Sequence, residues 1–493
     1  MYKMTAAVLA AVGLVAVLGG CSKDKTPTTP ANSIRPARVT DLYAYAIGTT
    51  SVRVAWTAVG ADSLTGTAAA YDLRLSSDPS DTWPLMARVS GLPAPSPSGA
   101  RDSVTVSRLQ ANVTYRFLLQ VSDAEGNKST SSNPAIATTL GSDADLHWWP
   151  GFAPPPHGQG IDAAGSVTAL VPFGGALVAG GRFTTAGDVQ VSNVARWGGS
   201  AWSAIGAGLS GGPVLALAEY DGNLYAGGSF TQSGSGRAMF LAWTDGGDWT
   251  ASRTEPDGSI AALVVYGGDL IAAGGFTHIG DLAANHIAAW NGSAWTPLGS
   301  GTDGWIQSLA VYNNDLIAGG YFTHAGGDSA VYVARWNGAT WAPMGIGAAE
   351  PDSATAGVAA LRVHNGFLYA GGNFRRLGGA NAQFLATWNG ADWEQAGTIQ
   401  QGNFTNAGVF ALGSIADTFV AGGRFGLAGP SGCDVNNIAL VGADCGALGS
   451  GIGRQGYRIV LAMTEWDGHL FVGGTFSMAG NRPSSAIARW GGE

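Results

Sequence analysis

From residue 142 onward the apolar positions return in blocks. Phe stands at 183, 230, 276, 322, 374, 425 and 476, a period of about 46 to 52 residues. Thirteen residues earlier lies Leu170, Leu217, Leu263, Leu309, Leu361, Leu412 or Met463, and six earlier lies Leu177, Leu224, Leu270, Leu316, Leu368, Phe419 or Leu470. A Gly follows four residues after every Phe, and a Trp about fourteen after, at 197, 243, 290, 336, 388 and 490, with Val441 the exception. Each block reads as four short strands. The fourth predicts strands over 306–312, 315–322, 331–336 and 340–344. Between the first two stand residues that tolerate positive φ, such as Asn313-Asn314, Asp221-Gly222 and Asn365-Gly366, as two-residue hairpins require. Units of this length predict a repeat array, and seven units of four strands predict a seven-bladed β-propeller.

The ends of the array favour a ring over an open solenoid. The last block stops at Trp490 and three further residues, before its fourth strand. The missing piece stands at the front of the domain, as Asp145-Leu146-His147-Trp148-Trp149, so an N-terminal strand is expected to complete the last blade. The Gly-Gly pair before each Phe weakens a strand unless a close approach repays it, and the crowded hub of a ring supplies that approach. The recurring Trp residues, including the second set at 202, 249, 295, 341 and 393, are expected to be mainly core.

Residues 37–140 carry a different pattern. Val52, Val54 and Trp56 alternate with polar neighbours, as do Tyr71, Leu73 and Leu75, and then Tyr115, Phe117, Leu119 and Val121. Period two predicts half-buried strands, and turns rich in Pro, Gly and Ser fit a sandwich of about 100 residues. Trp56, Tyr71 and the run Leu109-x5-Tyr115-x-Phe117, a tyrosine-corner signature, resemble a fibronectin type III domain. That resemblance implies a spacer or interaction module.

At the N-terminus, Lys3 precedes an apolar run over 5–18, too short to span a bilayer comfortably and suited to a signal segment. It ends Leu18-Gly19-Gly20-Cys21, which resembles the bacterial lipobox. The resemblance implies lipidation of Cys21, removal of 1–20, and, because Ser22 rather than Asp follows, the outer membrane or cell surface. Residues 22–36, with Pro27, Pro30 and Pro36, read as a flexible tether. The repeat motif Leu-x2-Tyr-x3-Leu-x2-Gly-Gly-x-Phe-Thr-x-Ala-Gly, followed by Ile-Ala-x-Trp-Asn-Gly, is similar to kelch-like propellers, closest to the glycine-rich version of bacterial surface proteins and fungal cortical cell-polarity markers. That similarity implies surface display and binding over 142–493.

Composition sharpens the picture in two places. The net charge is -9 and no basic stripe interleaves with aromatics, so nucleic acid is not expected as a partner. Three cysteines leave Cys433 and Cys445 as a possible disulfide once Cys21 is lipidated. In a plain hairpin those two stand too far apart along the strand to bond, and the spacing alone leaves the pairing open. The sixth block also lacks both Trp residues.

No catalytic constellation is evident, and no cofactor is expected. His278 and His324 occupy equivalent places in adjacent blocks, but no carboxylate near them in sequence completes a metal site, so no metal is assigned. Function is sought where the blocks differ, in the connections over 346–357, 398–408 and 450–457. The candidate ligand contacts are Trp305, Glu350, Asp352, Gln400, Gln401, Asn403, Phe404, Asn406, Arg454, Gln455 and Tyr457. The expectation is an all-β, monomeric, non-enzymatic, lipid-anchored envelope protein: a fibronectin type III-like sandwich followed by a propeller that binds a protein or glycan. The alternative is a secreted carbohydrate-active enzyme that uses the propeller mouth.

Overall fold

In the computed structural model the described residues are 34–491, apart from 64, 141–146, 155–157, 163, 346–355, 403, 431, 443–445 and 454–457. The chain is all-β, and the described residues hold no α-helix. The first unit is a two-layer sandwich. Strands β1 (Tyr43–Ala46), β2 (Val52–Thr57) and β5 (Arg101–Val106) form one sheet. The other runs β4 (Ala87–Arg88), β3 (Ala70–Ser76), β6 (Thr114–Ser122) and β7 (Ala135–Thr138). The alternation read in the sequence is the burial pattern: Val52, Val54 and Trp56 face inward with Leu73, Phe117 and Leu119. Trp56 meets the edge of Tyr71 at 4.9 Å between ring centroids. The Tyr115 hydroxyl accepts a hydrogen bond from the Gln110 amide at 3.0 Å, which is the geometry of a tyrosine corner.

Among the described residues the second unit repeats one antiparallel sheet seven times: the first five have four strands, labelled a to d in chain order, and the last two have three, a to c. In the fourth repeat these are Ile306–Tyr312, Asp315–Gly320, Val333–Trp336 and Trp341–Pro343. Strands b and c are shorter than expected because the segment between them forms its own hairpin, His324–Ala325 with Asp328–Ser329. The Gly four residues after the Phe turns that hairpin with positive φ, 66° at Gly326. The a–b turn also follows expectation, with Asn313 and Asn314 at φ 49° and 66°.

Hidden in the sequence was a backbone clasp that recurs in every repeat. The residue before strand c is left-handed although none is Gly: Asn193, Phe240, His286, Tyr332, Phe384, Asn437 and Ala486 have φ between 58° and 70°. Tyr332 shows what holds this conformation, which an L-residue resists by roughly 1–2 kcal/mol. Its N–H donates to the Phe322 carbonyl at 3.0 Å, and its carbonyl accepts from the Gly320 N–H at 2.9 Å. Phe322 itself is buried in the repeat's core. The recurring Gly-x-Phe is therefore the fixed half of a clasp.

The Gly pair has two separate reasons. A Cβ on Gly320 would lie 2.1 Å from the Trp305 carbonyl of the same sheet, at a bulge in strand a. A Cβ on Gly319 would lie 2.5 Å from Cγ1 of Val358 in the next repeat. The first is the close backbone approach expected, and the second is a side chain plugging in from the neighbouring repeat.

Several successive repeats are joined through their Trp residues. Trp341 packs on Trp336 at 5.4 Å, and its indole N–H donates to the Leu298 carbonyl of the preceding repeat at 2.7 Å. Trp249 and Trp393 make the same bond, to Ile205 and Met344. Trp148 takes this role beside the last repeat. It bridges Trp490, packs on its ring at 4.9 Å, and donates to the Leu448 carbonyl at 3.0 Å, 300 residues away. The last strand a (Ile459–Trp466) packs against the first (Ser166–Phe173), and a Cβ on Gly473 would lie 2.5 Å from Val167 Cγ1.

Candidate functional site

One end of the second unit collects the b–c hairpins and the connections that enter each strand a. The two are bridged in repeat after repeat: Ile161 to Ala186, Ser210 to Gln232, Pro256 to Ile279, Thr302 to Ala325 and Ile452 to Ala479. Of the candidate contacts chosen from the sequence, the described ones, Trp305, Gln400, Gln401, Phe404 and Asn406, lie on these connections. Trp305 is 53% exposed. Its indole lies over Gly275 of the preceding repeat, where a Cβ would approach the ring to 2.8 Å. Tyr321 is its backbone partner, with the Tyr321 N–H donating to the Trp305 carbonyl at 2.8 Å. The Tyr321 ring faces the other way, against Gly357. Trp305 and Tyr321 are thus each packed against a glycine and partly exposed.

Gln400 and Gln401 come together in a groove of about 630 Å³ with Gln383 and Gln395. Phe404 lies under the Arg424 guanidinium, 6.0 Å from its ring centroid, and Asn406 is exposed in a left-handed turn at φ 56°. Trp305 is two repeats away from this group. Glu350, Asp352, Asn403, Arg454, Gln455 and Tyr457 lie outside the described residues, as do Cys21 and Cys445. Cys433 is disulfide-bonded. It sits in the b–c hairpin, as Cys433–Asp434 paired with Leu427–Ala428, rather than on strand c. Off strand c, Cys433 is not subject to the strand-length separation that a plain c–d hairpin would impose.

The two histidines need a correction as well. Carboxylates do stand beside them, brought in from the preceding connection and invisible in the local sequence. His278 Nδ1 is 3.3 Å from Asp257, and His324 Nδ1 is 2.9 Å from Asp303. Each Asp fastens its hairpin: Asp303 accepts from the Thr323 and His324 amides and the Thr323 hydroxyl at 2.7–2.8 Å. Burial acts to raise the Asp303 carboxyl, but these bonds outweigh it and hold the group at about 2. Asp257 is held at about 2 in the same way, burial being outweighed by bonds from His278 and Thr277. Among the described residues no group of three or more metal-ligating side chains occurs.

A second candidate surface lies on the flank, between the second and third repeats. Counting from Phe placed Trp243 with the strand-c tryptophans, but it falls thirteen residues after its Phe and the others fourteen. One residue along a strand reverses the face. Buried Thr244 pairs with Leu224 where Trp290 pairs with Leu270. Trp243 instead pairs with Tyr225 and stacks on it at 6.4 Å and 28°. These two rings face Trp290 and Trp295 of the third repeat across a cleft of about 500 Å³. Thr250, Ser252, Ser293 and Arg253 complete its lining. Burial raises the Tyr225 phenol above its ordinary value, opposed by a hydrogen bond with Trp290 that ties the two walls together.

No protein-family model matches the sequence, and no curated protein matches it. Solved structures match part of the chain, two of them as follows. A Fn3-like protein from Clostridium thermocellum matches with 16% identity and a TM-score of 0.16, covering 21% of this chain and 93% of its own. FN3tt matches with 16% identity and a TM-score of 0.16, covering 22% of this chain and 97% of its own.

Proposed function

We propose that this chain is a non-enzymatic, lipid-anchored protein of the bacterial cell envelope. In this reading a fibronectin type III-like domain lifts a closed, kelch-like seven-bladed propeller off the membrane, and the propeller binds a protein or glycan. The observation that carries the binding role is Trp305. It is a large aromatic side chain, 53% exposed, on the end where hairpins and connections gather and where the repeats differ most. A rigid all-β frame presenting such a ring has its ordering cost met in advance, which is how preorganised surfaces gain affinity.

Closure of the ring is supported by Trp148, which gives the last repeat the same indole-to-carbonyl bond that Trp249, Trp341 and Trp393 make along the chain. The lipid anchor rests on Leu18-Gly19-Gly20-Cys21 after a short apolar run. Multiple acyl chains at Cys21 would hold the protein far more firmly than one could. The enzyme alternative gains little from the two Asp–His pairs. A carboxylate held at about 2 is a weak proton acceptor, and both groups are engaged in fastening hairpins.

Glycan-array and pull-down screening of the full mature chain tests the binding role. Trp305→Ala should abolish capture of whatever the screen finds on that end. Retention of full binding by this variant would move the site elsewhere. Labelling with a fatty-acid analogue should mark the wild type and not Cys21→Ser.

A further inference from the structure

The flank cleft between the second and third repeats is absent from any repeating feature of the scaffold. It exists because Trp243 is one residue out of step, which swings its ring from the sheet's own core to the open side. Ala289 holds the equivalent position in the third repeat, and Arg335 in the fourth, so no other described pair of repeats has two stacked rings there. Trp243, Trp290, Trp295 and Tyr225 are all half-buried, with one part of each ring packed and another open. The volume, about 500 Å³, falls within the range of small-molecule sites, roughly 300–1,000 Å³.

The chemistry of the walls selects the ligand. Aromatic faces offer an apolar, electron-rich plate, and hydroxyls from Thr250, Ser252 and Ser293 ring it, the two serines as acceptors because they already donate to the Thr254 carbonyl and Asn291 Oδ1 at 2.8 Å. A polyhydroxylated sugar ring with one C–H face satisfies both. Arg253 adds the remaining element. Its neighbour Arg237 is neutralised by Glu255 at 2.7 Å, whereas Arg253 is exposed and makes no ion pair among the described residues. In a chain of net charge -9, an unpaired guanidinium at the edge of an aromatic cleft favours a carboxylate ligand.

We propose that this cleft binds an acidic oligosaccharide: a uronic-acid ring stacks on Trp243 and Trp290, and its carboxylate engages Arg253. The inference rests on the protein being a binding scaffold but not on the hairpin end. Trp305→Ala therefore serves as the control that separates the two. Intrinsic Trp fluorescence of the full chain is titrated with a panel of galacturonate, glucuronate and mannuronate trisaccharides and their neutral methyl esters. At least one acid is expected to bind saturably, and its ester at least about tenfold more weakly. Arg253→Gln should remove the preference for the acid while keeping weak ester binding. Trp243→Ala should abolish both, Trp243→Phe should restore much of the affinity, and Trp305→Ala should change nothing. Raising the salt should weaken the acid and spare the ester. Failure of every acid on the panel, equal binding of acid and ester, or an unaffected Trp243→Ala variant would each overturn the proposal. So would binding of a peptide bearing an aromatic residue and a carboxylate when no sugar binds.

Discussion

The fourth and sixth repeats solve the same problem with different parts. In the fourth, Trp336 and Trp341 pack on each other, and Trp341 reaches back to Leu298. Its incoming connection is fastened to the b–c hairpin by the Asp303 carboxylate. The sixth has Val441 and Gly446 where those tryptophans stand. Its described fourth strand shrinks to a single bridge between Ala439 and Ala447. In exchange, its connection forms a true strand, Ile399–Gln400, paired with Leu427–Ala428, and Cys433 on the same hairpin is disulfide-bonded. What both keep is the clasp: Asn437 is left-handed at φ 70° and bonds Phe425 as Tyr332 bonds Phe322. The clasp and the Gly packing define the repeat, and the means of joining repeats is negotiable.

The strongest challenge to that comparison is at the seam. If indole bonds join repeats, Trp148 is the most consequential of them, since it is fully buried and spans the greatest chain separation. Deleting 142–160 should lower Tm drastically. Trp148→Ala should cost about 3–5 kcal/mol by loss of a buried aromatic and its bond. An unchanged Tm would mean that the two ends of the array do not depend on each other. Within the chain, Trp341→Ala should cost a similar or slightly smaller amount, because Trp341 is 5% exposed.

Next in size is the sixth repeat's own device. Reduction, or Cys433→Ser, should cost about 2–4 kcal/mol. It should also raise hydrogen exchange at Leu427 and Ala428 well before it affects the fourth repeat. A uniform loss across all repeats would show that the disulfide is not a local staple.

Period-two alternation made the sandwich strands legible, since the burial of Val52, Val54 and Trp56 depends only on residue order. The a–b turns were legible because φ above zero demands particular residues. The clasp was not, because Phe240, Tyr332 and Phe384 are bulky side chains poorly suited to positive φ, and hydrogen bonds from ten residues away hold them there. The Asp–His pairs were missed because 21 residues separate Asp303 from His324. Trp243 was misassigned because a count of "about fourteen" hides a one-residue difference that decides which face a side chain takes.

The smallest expected effect concerns the Asp-fastened hairpins, and it returns to the fourth and sixth repeats. Asp257 and Asp303 are held at about 2, below the ordinary 3.8. A depressed carboxyl contributes stability that is fully present above its unfolded value and is lost as pH falls through its folded one. Their contribution should therefore fade between about pH 4 and 2. Both side chains are partly exposed, at 45% and 42%, so solvent screens the effect and the change in Tm should be modest. Amide protection at Thr277, His278, Thr323 and His324 should drop in that window. Protection at Leu427 and Ala428, where backbone pairing replaces the carboxylate, should hold. Asp303→Asn should flatten the response in the fourth repeat alone. If acid loosened the sixth repeat's hairpin equally, the carboxylate would not be the fastener, and the difference between the two repeats would reduce to their tryptophans and the disulfide.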